Sequence, residues 1–356
     1  MTSTPIELHA NKPRTPVRVS GAGPFDFLVD TGSIFDLVDT ERAQELRIVS
    51  EGDFEAGGAG GATMMTSTAT GVRLGVGDLE LPRQNVEVAP INVAIGRIEG
   101  RRLDGLLGYD FFSRLAVELD YAAGTLSIGR DVRGTAVPLR LVRRHPFVHA
   151  AFELGGRRFE HEFVVDTGFR SGLVLAAPFV REESLVELAD RTIEATTGAG
   201  IGGPTVERVG RVARLEIGPF VLESVLVNLS QAQAGTLADR GFGGIIGSEV
   251  LRRFTATFDY PGSSLRLESN AHFNQPFEFD FSGLFLTGAD GIEVFSVIDG
   301  SPAAEAGIRP GDRIVGNVPL DELRKSLRAE PGMEHTLEIE RGGQRFAVSL
   351  RLRRLI

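Results

Sequence analysis

Apolar residues along this chain come in short runs of about four to eight positions, which either alternate with polar residues or stand unbroken between glycine-bearing turns. Pro16-Val-Arg-Val19 is followed after such a turn by Phe25-Asp-Phe-Leu-Val29, and the runs at 147–152 and 159–165 make a second couple. Both read as β-hairpins, since alternation turns one face of each strand to a core and the intervening glycines accommodate the reversal. The same pattern follows Asp120-Tyr121, as Ala-Ala-Gly-Thr-Leu-Ser-Ile128, and Asp259-Tyr260, as Pro-Gly-Ser-Ser-Leu-Arg-Leu267. Helix is sparse in this part of the chain, the best short candidates being 40–46, 110–114 and 249–253, with Asp110 and Glu249 suited to the positive end of a helix dipole. The pattern predicts a mainly β protein.

The chain also repeats itself. Phe27-Leu-Val-Asp-Thr-Gly-Ser33 returns as Phe163-Val-Val-Asp-Thr-Gly-Phe169, Leu106-Leu-Gly108 as Ile245-Ile-Gly247, and Leu119-Asp-Tyr121 as Phe258-Asp-Tyr260. Three landmarks in the same order at nearly constant offset point to two similar halves. From about Gln275 the character changes: Phe277-Glu-Phe-Asp-Phe281 alternates like an edge strand, and no third Asp-Thr-Gly follows. The expected units are 1–133, 134–274, a join at 275–280, and 281–356.

Composition narrows the chemistry. Glycine is abundant, 44 of 356 residues, without the triplet period of collagen, in keeping with many turns. A formal charge of −10 disfavours nucleic acid and anionic membranes as partners. No apolar run reaches the ~18 residues of a membrane span. The compartment stays open: periplasmic or exported if a signal was trimmed, cytoplasmic otherwise. With no cysteine, disulfides, thiolate catalysis and Cys-rich zinc sites are excluded, and Lys12 and Lys325, the only lysines, leave little room for Schiff-base chemistry. His145 and His149 flank Pro146 in a strand-like run near His161 and Glu162 and read as surface or packing residues, so no metal or other cofactor is expected. No G-x-S-x-G anchors a serine hydrolase. Gly198, Gly200 and Gly203 fit G-x-G-x-x-G, but no apolar strand leads directly in, and Pro204 and Gly210 interrupt the stretch where a dinucleotide fold needs a helix.

Asp30 and Asp166 remain. Each ends an apolar run and enters a Thr-Gly turn, where desolvation pushes a carboxyl toward neutrality unless it is hydrogen-bonded or shares a proton. Two such groups, one per half, would meet on a pseudo-two-fold axis and hold one proton and one water between them. The repeated Asp-Thr-Gly, the Gly-rich tips after it and the apolar-apolar-Gly segments together resemble the pepsin/retropepsin class of aspartic proteases over about residues 4–269.

That resemblance implies a bilobal acid-protease fold of two pseudo-symmetric β-barrel-like lobes, with Asp30 and Asp166 as the catalytic dyad. Thr31 and Thr167 would interlock the two loops, Gly32 and Gly168 would leave room for water and substrate, and 106–108 and 245–247 would thread behind the loops. Flaps are expected at Gly57-Gly-Ala-Gly-Gly-Ala-Thr63, with Gly58, Gly60 and Gly61, and at 198–205, with Gly200, Gly202 and Gly203. Ser33 follows the first Asp-Thr-Gly and Phe169 the second. A Ser33 hydroxyl donated to Asp30 would make Asp30 the more readily ionised member and leave the proton on Asp166.

Beyond about Gly283, Gly283-Leu-Phe-Leu286, Val294-Phe-Ser-Val-Ile298, a Ser301-Pro-Ala-Ala-Glu-Ala-Gly307 helix and a Pro-Gly-Asp turn resemble a PDZ domain of the bacterial protease-associated kind, an α+β unit. By that resemblance the amides of Gly283, Leu284, Phe285 and Leu286 would capture a peptide carboxylate beside a helix at 320–327. The expectation is a single-chain aspartic endopeptidase acting on protein or peptide substrates and competent as a monomer. A catalytically inactive peptide-binding scaffold and an obligate homodimeric protease stay open as alternatives.

Overall fold

In the computed structural model, which describes residues 2–58, 61–129, 133–200 and 203–356, the chain is mainly β. Lys12–Val19 and Ala22–Val29 form the first antiparallel hairpin. Its second strand ends in Phe27-Leu-Val29, and Gly105–Leu107 runs parallel beside that end, with Leu106 opposite Leu28. Gly105–Leu107 also pairs antiparallel with Leu37–Asp39. Phe27 and Val29 face the main core while Leu28 faces a second cluster with Leu37, Ile91 and Leu106. Burial on both faces is why this run reads unbroken rather than alternating.

The same relations occur in the second half. His145–Leu154 pairs with Arg157–Asp166, Gly244–Gly247 lies parallel to the latter with Ile245 opposite Val164, and Leu173–Leu175 lies antiparallel on its other side. Phe163 and Val165 enter the main core, and Val164 joins Val174, Leu237 and Ile245 in a separate cluster. The halves meet through Val117–Asp120 and Phe254–Asp259, which pair antiparallel. Outside them lie Thr125–Ile128 with Thr2–Pro5 on one side, and Ser264–Ser269 with Thr135–Val142 on the other. This sheet and the one apolar core beneath it span both halves.

The segment Phe277-Glu-Phe-Asp-Phe281 is not a strand. It is an extended strap whose phenylalanines are taken by two cores: Phe277 joins the core of the two halves, and Phe281 that of the C-terminal unit. The fully buried Arg253 fixes it, its guanidinium stacking on the Phe277 ring at 3.5 Å and its Nη2 donating to the Gln275 and Pro276 carbonyls at 3.1 Å. Those carbonyls are therefore spent on a side chain instead of a neighbouring strand.

Residues beyond the strap form a five-stranded antiparallel sheet from Leu284–Thr287 to Gln344–Arg351, with helices Pro302–Glu305 and Leu320–Ser326 and a core of its own. Ser301 caps the first helix, accepting from the Ala304 N–H. The unit rests against the first half: Gly288 N–H donates to the Ile98 carbonyl at 3.1 Å, and Ala10 N–H to Asp321 Oδ1 at 3.1 Å. It also touches the second half, where Ser296 Oγ donates to Thr196 Oγ1 at 2.9 Å. Helices at Ala177–Glu182 and Leu185–Leu188, and an irregular helical turn through Asn92–Gly96 into Arg97–Glu99, were not expected from the sequence pattern.

Candidate active site

Asp30 and Asp166 sit where two strands end side by side, and the residues after them explain how two acids approach so closely. A Cβ placed on Gly32 would lie 2.3 Å from Asp166 Oδ2, and one on Gly168 would lie 2.4 Å from the Asp30 carboxylate. Each glycine is thus a gap filled by the opposite carboxyl. The threonines between tie the loops together. Thr31 N–H donates to Thr167 Oγ1 and Thr167 N–H to Thr31 Oγ1, both at 3.0 Å. Thr31 Oγ1 donates to the Val165 carbonyl at 2.7 Å, and Thr167 Oγ1 to the Val29 carbonyl at 2.6 Å.

The apolar-apolar-Gly segments run under these loops. A Cβ on Gly108 would meet the Phe35 carbonyl at 2.1 Å, and one on Gly247 the Ser171 carbonyl at 2.4 Å. Tyr109 N–H donates to the Ser33 carbonyl at 2.9 Å and Ser248 N–H to the Phe169 carbonyl at 2.7 Å. Phe169 leaves its loop in the same turn as Ser33, the two amides donating to the Asp166 and Asp30 carbonyls at 3.3 and 3.2 Å. Its ring packs on the cluster under the second loop.

The two carboxyls are not equivalent. Asp30 Oδ1 accepts from the Gly32 and Ser33 amides at 2.9 and 3.1 Å, whereas Asp166 Oδ1 accepts from the Gly168 amide at 2.8 Å. Burial pushes Asp30 above its ordinary value, and the Lys12 charge and these hydrogen bonds hold the rise back. Burial, and then the negative charge of Asp30, drive Asp166 well above its own. Of the two, Asp166 is the carboxyl pushed further toward its neutral form. The source of the asymmetry differs from the expected one, for Ser33 Oγ donates to the Phe35 carbonyl at 2.8 Å and not to Asp30. It is the backbone amide of Ser33 that reaches the carboxylate.

Lys12 and Glu99 carry no signal in the sequence beyond the rarity of lysine. Lys12 is buried and paired with Glu99, which also accepts from Arg14 Nη2 at 2.7 Å. Burial alone would raise Glu99, but the Lys12 and Arg14 charges hold it below its usual value. This anion keeps a cation next to the two aspartates. His145, expected as a surface or packing residue, lines the cleft and is held below its ordinary value by burial.

Above the aspartates is a cleft of about 520 Å³. Both Gly-rich hairpins reach it, Ser50–Gly57 with Thr63–Val72 through Gly57 and Gly58, and Ile193–Gly200 with Gly203–Ile217 through Gly198 and Gly203. The Gly58 carbonyl accepts from Thr236 N–H at 3.2 Å, and a Cβ on Gly61 would touch Ala234 at 3.3 Å, so the first tip leans on the second half. Gly200 ends its strand; Gly60 and Gly202 lie outside the described residues. Of the C-terminal loop, Phe285 lines the cleft. The amides of Gly283 and Leu284 already donate to Asp280 Oδ1, at 2.7 and 3.3 Å.

Residues 15–111 match a family model described as aspartyl protease. No curated protein matches the chain. The matched span holds Asp30, the first Gly-rich hairpin and Leu106-Leu-Gly108, and it supports a hydrolase of the aspartic-protease kind in general. Asp166 and the C-terminal unit lie beyond the match and stand on geometry alone.

Proposed function

We propose that the chain is a single-chain aspartic endopeptidase with Asp30 and Asp166 as its catalytic pair. The observation that carries this reading is two half-buried carboxyls, each seated in the gap left by the other loop's glycine and each pushed toward its neutral form, Asp166 the more strongly. A water between them would lose a proton to Asp30 as its oxygen bonds to the scissile carbonyl carbon, while Asp166 gives its proton to the carbonyl oxygen. In the second step Asp30 returns its proton to the leaving nitrogen, Asp166 takes one from a hydroxyl of the tetrahedral carbon, and the C–N bond breaks. Both aspartates come from one polypeptide, so a monomer has the complete pair. The PDZ-like unit supplies a wall of the cleft; recruitment of a peptide carboxylate at its 283–286 loop requires displacing Asp280.

Cleavage of an unfolded protein between about pH 3 and 7 tests the proposal. The parent should cut, and Asp30→Asn and Asp166→Asn should each lose at least about a hundredfold in rate. No cleavage by the parent, or equal cleavage by all three, overturns it. Since the reaction needs Asp30 ionised and Asp166 protonated, the rate should be bell-shaped in pH, its alkaline limb displaced upward by the raised Asp166.

A further inference from the structure

At the end of the cleft where the C-terminal unit meets the second half, two arginines line the same wall. Arg170 directly follows Phe169 in the Asp166 loop, and Arg324 projects from the helix Leu320–Ser326. Arg328 stands just beyond, in an adjoining chamber of about 80 Å³ that Arg170 and Arg324 also line. Among the described residues none of the three forms an ion pair. Arg324 Nη2 donates to the Leu286 carbonyl at 2.7 Å, but its Nη1 is buried with no partner. The Arg170 guanidinium makes no hydrogen bond there and lies 5.9 Å from the Phe285 ring. Burial and the neighbouring Arg324 and Arg328 charges push Arg170 down to about 9.

The carboxylates that influence these arginines are spent elsewhere. Glu99 is held by Lys12 and Arg14, Asp280 by Ser282 and the amides of its loop, and Asp321 by Lys325 and the Ala10 amide. Clustered like charges with donors left open are unfavourable in the empty protein and become favourable when a ligand brings the missing anion. Much of the cleft wall is apolar, with Phe35, Phe54, Ile95, Phe169, Ile245 and Phe285. The fitting ligand is an apolar chain carrying a single carboxylate, not a polyanion, which the −10 charge of the protein opposes.

We propose that Arg170 and Arg324 form a carboxylate-binding subsite at this end of the cleft, which selects apolar peptides bearing a carboxylate, either the peptide's C-terminus or an acidic side chain. The inference rests on the cleft being a peptide site but not on its catalysis, so its test uses binding to the full-length Asp30→Asn protein. Three N-terminally fluorescein-labelled probes are compared by fluorescence anisotropy: Phe-Val-Phe-Leu-Ala as free acid, its C-terminal amide, and the amide with Glu in the last position.

At least one carboxylate probe should bind about tenfold or more tightly than the neutral amide. Preference for the free acid alone assigns the C-terminus, and preference for the Glu amide assigns the side chain. Arg170→Gln should erase the difference while leaving the neutral amide's affinity unchanged. It should also raise the Tm of the empty protein, a direction opposite to that of a structural arginine. Arg324→Gln should erase the preference too; Arg170→Gln serves as the second variant because it leaves the Leu286 contact intact. Equal affinities, a preference that survives both substitutions, or no binding of any probe overturns the proposal. Loss of the proteolytic reading alone would leave these affinities standing.

Discussion

Replacing Thr31 by Val changes almost nothing in shape and removes two hydrogen bonds at the point where the halves meet. Thr31 and Thr167 are 1% and 0% exposed, so water does not substitute for what is lost. In Thr31→Val the Thr167 N–H faces a methyl group, and an orphaned buried donor costs about 1–3 kcal/mol; the Val165 carbonyl loses its 2.7 Å donor, at about 1 kcal/mol more. The expected loss is about 2–4 kcal/mol, a large part of a typical stability of about 5–15 kcal/mol. Thr31→Ser keeps the oxygen and gives up one methyl, at about 1 kcal/mol. Thr167→Val should match Thr31→Val, because its bonds to the Val29 carbonyl and Thr31 N–H are the mirror set. The double variant should cost less than the sum, since loops already parted have less left to lose.

Urea unfolding followed by far-UV circular dichroism gives these differences. Hydrogen exchange at the 27–33 and 163–169 segments assigns the transition to the two halves, apart from the C-terminal unit with its own core. Peptidase activity should fall with Thr31→Val and stay near the parent's with Thr31→Ser. A Thr31→Val protein within about 1 kcal/mol of the parent, or as active as Thr31→Ser, would refute the view that these bonds hold the carboxyls opposed.

Gly32→Ala places a Cβ on the Asp166 carboxylate, and the displacement of one acid by roughly 1 Å should cut kcat about a hundredfold or more while the Tm moves little; an active Gly32→Ala enzyme would sink the close-approach argument. Asp36 is buried and pushed up to about 7 by desolvation, so the folded state keeps a proton the unfolded state sheds near pH 4. Its contribution is present in full below the unfolded value and fades as pH rises from about 4 to 7, by up to about 4 kcal/mol. Asp36→Asn should flatten that slope in urea unfolding, because a turn of the Gln84 amide, which now donates to Asp36 Oδ2, brings its unpartnered Oε1 to the new NH2 while the remaining oxygen keeps the Gly108 and Phe111 amides. Lys12→Met removes the cation that lowers both aspartates, so the acidic limb of kcat/KM should move to higher pH; an unmoved limb would show that Lys12 acts only through packing.

Much of the scaffold was legible because its signals are local. Unbroken apolar runs ending in Asp-Thr-Gly marked strands buried on both faces, and the recurrence of 106–108 as 245–247 marked the segments beneath the loops. What escaped the sequence depends on contacts between distant parts. Phe277-Glu-Phe-Asp-Phe281 has a strand's alternation, but two cores claim its phenylalanines and Arg253 claims its carbonyls. Glu99 sits in a short turn after an irregular helical segment and acquires meaning only when Lys12 and Arg14 meet it. The Ser33 hydroxyl is the chemistry a sequence displays, whereas the Asp30 carboxylate is met by its backbone amide, which any residue but proline would supply. The sequence of the 283–286 loop suggests free amides, but two of them are met by Asp280, a residue of the strap.

These misses share a location and a cause. Lys12 with Glu99, Asp280 on its loop, and Arg170 with Arg324 all lie close to where the C-terminal unit meets the halves. Burial strengthens every charge interaction in reach, so Arg170 without a counter-ion feels Arg324 and Arg328, and Lys12 acts on Asp30 through a poorly screened path. The C-terminal unit is in this sense part of the cleft's electrostatics and not an attachment to it. Phe285 and Arg324 form its inner wall, and the Gly288 and Asp321 hydrogen bonds to the first half hold that wall in place. A pair of acids sharing a proton needs such a setting, because in open water the shared proton would be lost to solvent at neutral pH and the two carboxylates would repel.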